Sequence, residues 1–270
     1  MIGKLKGIDV VAFVGGVSPK PEGEEMPINI PGFKVGDRTD IELPASQRKY
    51  LQVMKKSGKK VVFVNCSGSA IAMTPETESC DAILQAWYGG QSGGQAVADV
   101  LFGNYNLSGK LPITFYKNSD QLKDFDDYSM KGRTYRFMNE ALFQFGYGLS
   151  YMTFIIGEAR LSKTTNKADE TIQLTVPVTN TGKRDGVEVV QVYVRKVNDI
   201  EGPFKTLRGF NRVEIPAGKT QHVSIDLTPD SFESIDWSQR KMMVTLGEYE
   251  VLYGNNSSSK DLKNIKIIIR

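Results

Sequence analysis

The apolar residues of this chain change period near its middle, and that change constrains the fold more than any other feature. Up to about residue 116 they come in short unbroken runs: VVAFVGG (10–16), KKVVFVNCSGSA (59–70) and DAILQAWYGGQ (81–91). Between the runs lie segments of helical period. ASQRKYLQVMKKSG (45–58) reads as an amphipathic helix stopped by Gly58. SGGQAVADVLFG (92–103) reads as a second, closed by Gly103, with Ala96, Val97, Val100 and Leu101 on one face. KLPITFY (110–116) reads as an added strand. Continuous Val/Ile/Leu strands alternating with helices predict a mostly parallel sheet covered on both faces, a layered α/β sandwich.

Further along, the period becomes two. Ile172, Leu174, Val176 and Val178 alternate with polar residues, and Pro177 on the opposite face favours an edge strand or a bulge. In DGVEVVQVYVRKV the apolar phase runs through Val187 and Val189, then slips to Val190, Val192 and Val194, which predicts a β-bulge near Val189. Val223, Ile225 and Leu227 alternate again, as do Tyr249, Val251 and Tyr253, with turns at PAG (216–218) and around Gly247. Strands at this spacing with almost no helical pattern predict an all-β domain, an immunoglobulin- or fibronectin III-like β-sandwich. The segment 121–154 is aromatic-rich and neither Gly/Ser- nor Pro-rich, so it reads as an ordered connector packed against both domains. The expected organisation is an α/β domain over 1–120, the connector over 121–154 and the β-sandwich over 155–270.

Composition narrows the function. Apolar residues at 40% and charged residues at 24% belong to a globular, soluble chain. A net charge of +3 with no Lys/Arg stripe points to neither nucleic acid nor an acidic membrane surface. No apolar run approaches the roughly 20 residues of a membrane helix. The start, MIGKLKGIDVVAF, has no signal-peptide pattern and reads as a first strand. The two cysteines, Cys66 and Cys80, support neither a disulfide framework nor a cysteine metal site. One histidine, His222, rules out Ser-His-Asp and multi-histidine metal chemistry.

Two short stretches carry candidate chemistry. EGEEMP (22–27) places Glu22, Glu24 and Glu25 directly after an apolar run, which fits either a solvated charged loop or a site needing a carboxylic acid. YGGQSGG (88–94) lies between a strand and a helix, a setting suited to anion binding. It has neither the Walker pattern nor G-x-G-x-x-G, and a tight turn with close backbone packing explains its glycines better.

Several stretches, in order, resemble glycoside hydrolase family 3, the β-glucosidases and β-xylosidases. AWYGGQSGGQAVADVLFGNYNLSGKLPITFY (86–116) resembles that family's C-terminal α/β domain, and YRFMNEALFQFGYGLSYMTF (135–154) its connector. VPVTNTGKRDGVEVVQVYV (176–194) and LRGFNRVEIPAGKTQHVSIDL (207–227) resemble its fibronectin type III-like domain. The resemblance implies a retaining, exo-acting glycosidase with no metal or organic cofactor, acting on an oligosaccharide or β-glycoside. Its nucleophile would be an aspartate on an N-terminal (β/α)8 barrel, and its general acid/base a glutamate on a loop of the α/β domain. That loop follows a strand like VVAFVGG and precedes Gly36-Asp37-Arg38; aligned by the strand, Glu22 matches the family glutamate best and Glu24 is the alternative. Asp37 and Arg38 would orient the loop or touch sugar hydroxyls, or form an ordinary loop-anchoring ion pair.

Such an enzyme uses two carboxyl groups roughly 5–5.5 Å apart, one attacking carbon and one protonating the leaving oxygen. The acid must hold its proton near neutral pH, and crowding by other carboxylates favours that. Ser67-Gly68-Ser69 is expected to form a turn, Trp87 and Tyr88 to be core or a sugar-stacking face. Asp236-Trp237 is discounted as a nucleophile motif because it lies in the β-sandwich. A family barrel needs some 250 residues of βα units, and none precede Met1. The chain is therefore expected to lack the nucleophile and to be a very poor catalyst alone. By resemblance the enzyme would be periplasmic or extracellular. Two rivals stay open: a non-catalytic module binding carbohydrate or protein, and a nucleotide binder using YGGQSGG.

Overall fold

The computed structural model describes residues 5–18, 31–34, 37–236 and 238–270. The chain divides into two units, Met1–Asn104 with Thr114–Asp127 and Ala141–Phe143, and Tyr105–Ile113 with Tyr128–Glu140 and Gln144–Arg270.

The first unit runs β1 (Val10–Gly16), β2 (Phe33–Lys34), β3 (Asp37–Arg38), α1 (Ala45–Lys56), β4 (Lys60–Cys66), α2 (Thr74–Ser79), β5 (Ala82–Gln85) and α3 (Gly93–Leu101). The unbroken apolar runs become a three-stranded parallel sheet in the order β1-β4-β5, and β2 and β3 form a separate antiparallel pair. α1 lies against β1 and β4. Leu51 of α1 and Val61 and Phe63 of β4 are fully buried, and Phe13 meets Phe63 at 5.8 Å between ring centroids. Gly58 and Gly103, with φ +76° and +75°, follow the two helices as expected.

The opposite face of this sheet departs from the expected double cover. Val10 and Val14 are 54% and 66% exposed, and Ala12 between them is exposed too. β1 is an edge strand and α3 buries none of its residues, so among the described residues no helix layer closes that face at β1. KLPITFY is not a strand either. Phe115 makes only an isolated bridge to Phe143, and Pro112 has no amide to offer a ladder.

The second unit contains α4 (Thr134–Phe137) and then a run of strands. These are β6 (Phe154–Ile156), β7 (Arg160–Leu161), β8 (Thr165–Asn166), β9 (Ile172–Asn180), β10 (Gly186–Lys196) and β11 (Thr206–Ile215), followed by β12 (Thr220–Leu227), β13 (Glu233–Asp236), β14 (Lys241–Val244), β15 (Gly247–Gly254) and β16 (Lys263–Ile269). One sheet has the order β11-β10-β15-β16-β8 and the other β12-β9-β6, with β7 also on β9. Four alternating apolar sets from the sequence enter one core: Ile172 to Val178, Val190 to Val194, Val223 to Leu227, and Tyr249 to Tyr253, whereas Val187 and Val189 stay outside it.

Two local expectations are corrected here. Pro177 lies on a central strand, flanked by β12 and by β6 and β7. It is accommodated because β6 pairs only as far as Val178 and β7 begins at Thr175, and in the gap Pro177 needs only to accept the Gly157 N–H at 2.8 Å. The bulge falls at Val192/Tyr193, where β11 carries Arg208 as an extra residue. The apparent slip at Val189 arises from Glu188, which is 4% exposed and belongs to the same inward face as Val190, Val192 and Val194. Its carboxylate is held by Lys110 Nζ at 2.8 Å, Asn255 Nδ2 at 3.0 Å and the Val189 N–H at 2.8 Å. Tyr193, on the other face of β10, is covered edge-on by Tyr135, whose ring stacks on Phe145.

Candidate functional site

Glu22 and Glu24 lie outside the described residues, so the site is built from what adjoins them in sequence. The three parallel strands end at one edge, where β1 leads into Val17, β4 into Ser67 and β5 into Trp87 and Tyr88. Ligand sites of parallel α/β sheets assemble outside that edge, where the loops diverge.

The edge is polar and tightly bonded. Asn65 and Ser67 are fully buried. Asn65 Nδ2 donates to Gln85 Oε1 at 2.6 Å and to Ser67 Oγ at 3.2 Å, and Gln85 Nε2 donates to Ser67 Oγ at 3.2 Å. The Ser67 hydroxyl gives its own proton to the Ser69 carbonyl at 2.8 Å, so its oxygen is spent on the turn and is no nucleophile. Asn65 Oδ1 is buried and without a hydrogen-bond partner among the described residues.

The exit of β1 is fixed from three sides. Gln47 of α1 accepts the Gly16 N–H at 2.8 Å and donates to the Gly16 carbonyl at 2.7 Å. The Val17 N–H donates to the Cys66 carbonyl at 3.0 Å, and the Tyr88 hydroxyl donates to the Val17 carbonyl at 2.5 Å. Gly16 has φ +125°, and a Cβ there would collide with the Cys66 carbonyl oxygen, so only glycine fits. Trp87 occupies the left-handed region at φ +56°, with its ring edge-on to Phe115, and Tyr88 follows it. Trp87 is half-buried and Tyr88 is 41% exposed, so neither belongs to the buried core.

Asp37 and Arg38 sit on β3, adjacent residues whose side chains leave on opposite sides of the strand. Asp37 is exposed, whereas Arg38 donates to the Glu42 carbonyl at 2.9 Å. The Glu42 side chain in turn takes Arg48 Nη2 at 2.9 Å and the Ser119 N–H at 3.2 Å. Arg48 also forks onto Glu76, which is 1% exposed, at 2.7 and 3.2 Å. Gln47, Arg48 and Glu76 had no part in the sequence reading. The signal for Gln47 was there: it precedes buried Leu51 by four residues and so shares its helix face.

Other candidates fall away. Cys80 is a free, buried thiol pushed up to about 11 by burial and by the Glu76 charge, the reverse of an activated nucleophile. In YGGQSGG, Gly89 alone is crowded, its added Cβ falling 2.9 Å from Gly93 Cα, while Gly90, Gly93 and Gly94 face open space. Asp236 accepts from the Ser238 and Gln239 amides at 2.8 and 3.1 Å and caps a turn. Among the described residues no cluster of three or more His, Cys, Asp or Glu could hold a metal ion, and no helix is long and apolar enough to cross a membrane.

Comparison with known proteins matches two family models to the chain. The glycosyl hydrolase family 3 C-terminal domain matches residues 3–151, and the fibronectin type III-like domain matches residues 188–257. A xylan 1,4-beta-xylosidase of Xylanibacter ruminicola is 58% identical over 268 residues, 99% of this chain and 31% of that protein. A periplasmic beta-glucosidase of Salmonella typhimurium is 37% identical over 240 residues, 83% of this chain and 31% of its own length. Among solved structures, the b-glucosidase EmGH1 of Erythrobacter marinus superposes with a TM-score of 0.85 at 32% identity, covering 100% of this chain and 35% of that one.

Proposed function

The chain belongs to glycoside hydrolase family 3, and from that premise we propose that it is the C-terminal part of a retaining, exo-acting β-glycosidase. In this reading it supplies the general acid/base, while an aspartate on an N-terminal barrel of the same enzyme supplies the nucleophile. Glu22, with Glu24 as the alternative, protonates the glycosidic oxygen as the aspartate attacks the anomeric carbon. The same glutamate then takes a proton from the water that releases the sugar. Asp37 and Arg38 orient the loop or meet sugar hydroxyls. The chemistry is complete with two carboxyl groups and asks for no cofactor.

The observation that carries this reading is the 58% identity, over 99% of the chain, to a protein named a xylan 1,4-beta-xylosidase. It favours a β-xyloside over a β-glucoside as substrate. The periplasmic relative supports a compartment outside the cytoplasm. Because the chain spans 31% of that xylosidase's length, the isolated chain is expected to lack turnover.

The test is hydrolysis of aryl β-xyloside and aryl β-glucoside by the 270-residue chain, alone and joined to its barrel. No turnover alone, turnover with the barrel, and a loss of about 10²–10⁴-fold in Glu22→Ala or Glu24→Ala are expected. Turnover by the chain alone, abolished in one of these variants, would place the nucleophile here and overturn the division of labour.

A further inference from the structure

We propose that Arg136 and Arg208 form an oxyanion-binding site in the second unit, taking a carboxylate, sulfate or phosphate between their guanidinium groups. α4 is tied across the start of β11. The Phe204 N–H donates to the Arg136 carbonyl at 2.7 Å, and the Leu207 N–H donates to the Tyr135 hydroxyl at 3.1 Å. Arg208 follows directly, as the extra residue of the bulge opposite Val192/Tyr193, and a bulge re-aims the side chain it carries. Both arginines are half-buried. The Nε–H of each is shut away from solvent and has no hydrogen-bond partner among the described residues. Arg208 Nη2 donates to the Glu233 carbonyl at 2.7 Å, while the Arg136 guanidinium lies over the Phe137 ring, 5.7 Å from its centroid.

The first unit shows how a half-buried arginine is ordinarily satisfied: Arg48 has Glu76 at 2.7 Å and Glu42 at 2.9 Å. Among the described residues neither Arg136 nor Arg208 is ion-paired with a carboxylate, and two like charges stand together instead. Burial, and then the Arg136 charge, lowers the Arg208 pKa from its ordinary value, with the more distant Asp230 and Glu233 charges opposing them. A donor hidden from water and left unbonded is unfavourable, and repulsion between two cations adds to that. An anion with two or more oxygens relieves both, because it accepts from the fork of each guanidinium and offsets their charge. Arg136 can turn its Nε and Nη edge toward such an anion, since among the described residues no hydrogen bond holds its guanidinium.

The experiment follows urea unfolding of the 270-residue chain over a titration with sodium sulfate, against sodium chloride at the same ionic strength. Sulfate also stabilises proteins by exclusion from their surface, so the site is read from a saturating component and from its loss in variants. That component is expected to lower the unfolding equilibrium constant about a hundredfold once sulfate stands at about a hundred times its dissociation constant. Arg136→Met and Arg208→Met each remove it, and Arg136→Lys, which keeps the charge and loses the fork, retains part of it. Lys241→Met, at an exposed cation on β14, leaves it whole. No saturating component, or the same one in the chain and in all three arginine variants, would overturn the site. Should a methionine variant fail to fold, Arg136→Lys and the chloride comparison still decide. The enzyme joined to its barrel then distinguishes the source of the anion. A carboxylate from the rest of the polypeptide would abolish the sulfate component there while Arg136→Met still destabilises the protein; a free oxyanion would leave the component in place. Absence of both effects in that enzyme would overturn the site as well.

Discussion

In the second unit Ile172, Leu174, Val176 and Val178 meet Val190, Val192, Val251 and Tyr253 across two sheets, and none is more than 1% exposed. In the first unit Val61 and Phe63 are as deeply buried on one side of the sheet, while Val14 on the other side is 66% exposed. Two sheets with alternating faces need only each other to shut out water, and each strand brings its polar face with it. A parallel sheet with apolar residues on both faces needs two layers of helix, and here one edge strand has cover on one side only. The two units treat buried charge alike. Among the described residues each takes in one carboxylate, Glu76 in the first and Glu188 in the second, and each supplies a cation to it.

That likeness can be broken where the cation is simplest. Lys110→Met leaves Glu188 buried beside Asn255 with its charge uncompensated, and should cost the second unit about 3–5 kcal/mol in chemical denaturation. Replacing both partners, Lys110→Met with Glu188→Leu, should recover most of that. A loss below about 1 kcal/mol would mean the pair behaves like a surface one and that Glu188 is not part of the core.

Glu188 also shows what the sequence could and could not disclose. Its own strand was legible from Val190, Val192 and Val194, because a period of two needs no partner to be recognised. Its inward position was not, because a buried carboxylate looks polar in a pattern and its cation, Lys110, is remote in sequence; the bulge was therefore expected in the wrong place. Pro177 misled for a related reason, since the interruption that admits it belongs to β6 and β7. At the site, the glycines and serines at the strand ends were visible as turns. Gln47 was visible only as a residue sharing a face of α1 with Leu51, because its two bonds run to a residue 31 positions away. The open face of β1 could not be seen, because a run such as VVAFV is the same whether or not a helix covers it.

The units should also answer alkali differently. Lys205 of the second unit is 2% exposed, with its ammonium on Ser259 Oγ at 2.9 Å, and burial, then the Arg195 charge, pushes it down to about 8. Lys60 of the first unit is exposed and held above the ordinary lysine value by its bonds to Asp81. Between about pH 8 and the ordinary lysine value near 10.4, folded Lys205 has lost its proton and unfolded Lys205 still holds it, so stability rises with pH. Lys60 has the opposite sign: its contribution is present below the ordinary lysine value and is lost as pH rises through the raised one. Unfolding of the second unit between pH 8 and 9.5 should gain about 2 kcal/mol relative to Lys205→Met. Parallel curves for the two proteins would show that Lys205 reaches water in the folded state.

The smallest effect is expected on the open face, and it tests the contrast between the units most directly. Val14 lies in the same strand as Phe13, so Val14→Ser changes a β-branched apolar side chain while leaving the Phe13–Phe63 contact untouched. A residue already 66% exposed gives up little by becoming polar, and the loss in the chain as it stands should stay within about 0.5 kcal/mol. A loss of about 2 kcal/mol, in the range for burying a whole valine, would mean that the face is covered in solution. Repeating the measurement over a range of protein concentrations then identifies the cover, since a second copy of the chain makes the midpoint concentration-dependent and a rearranged α3 does not.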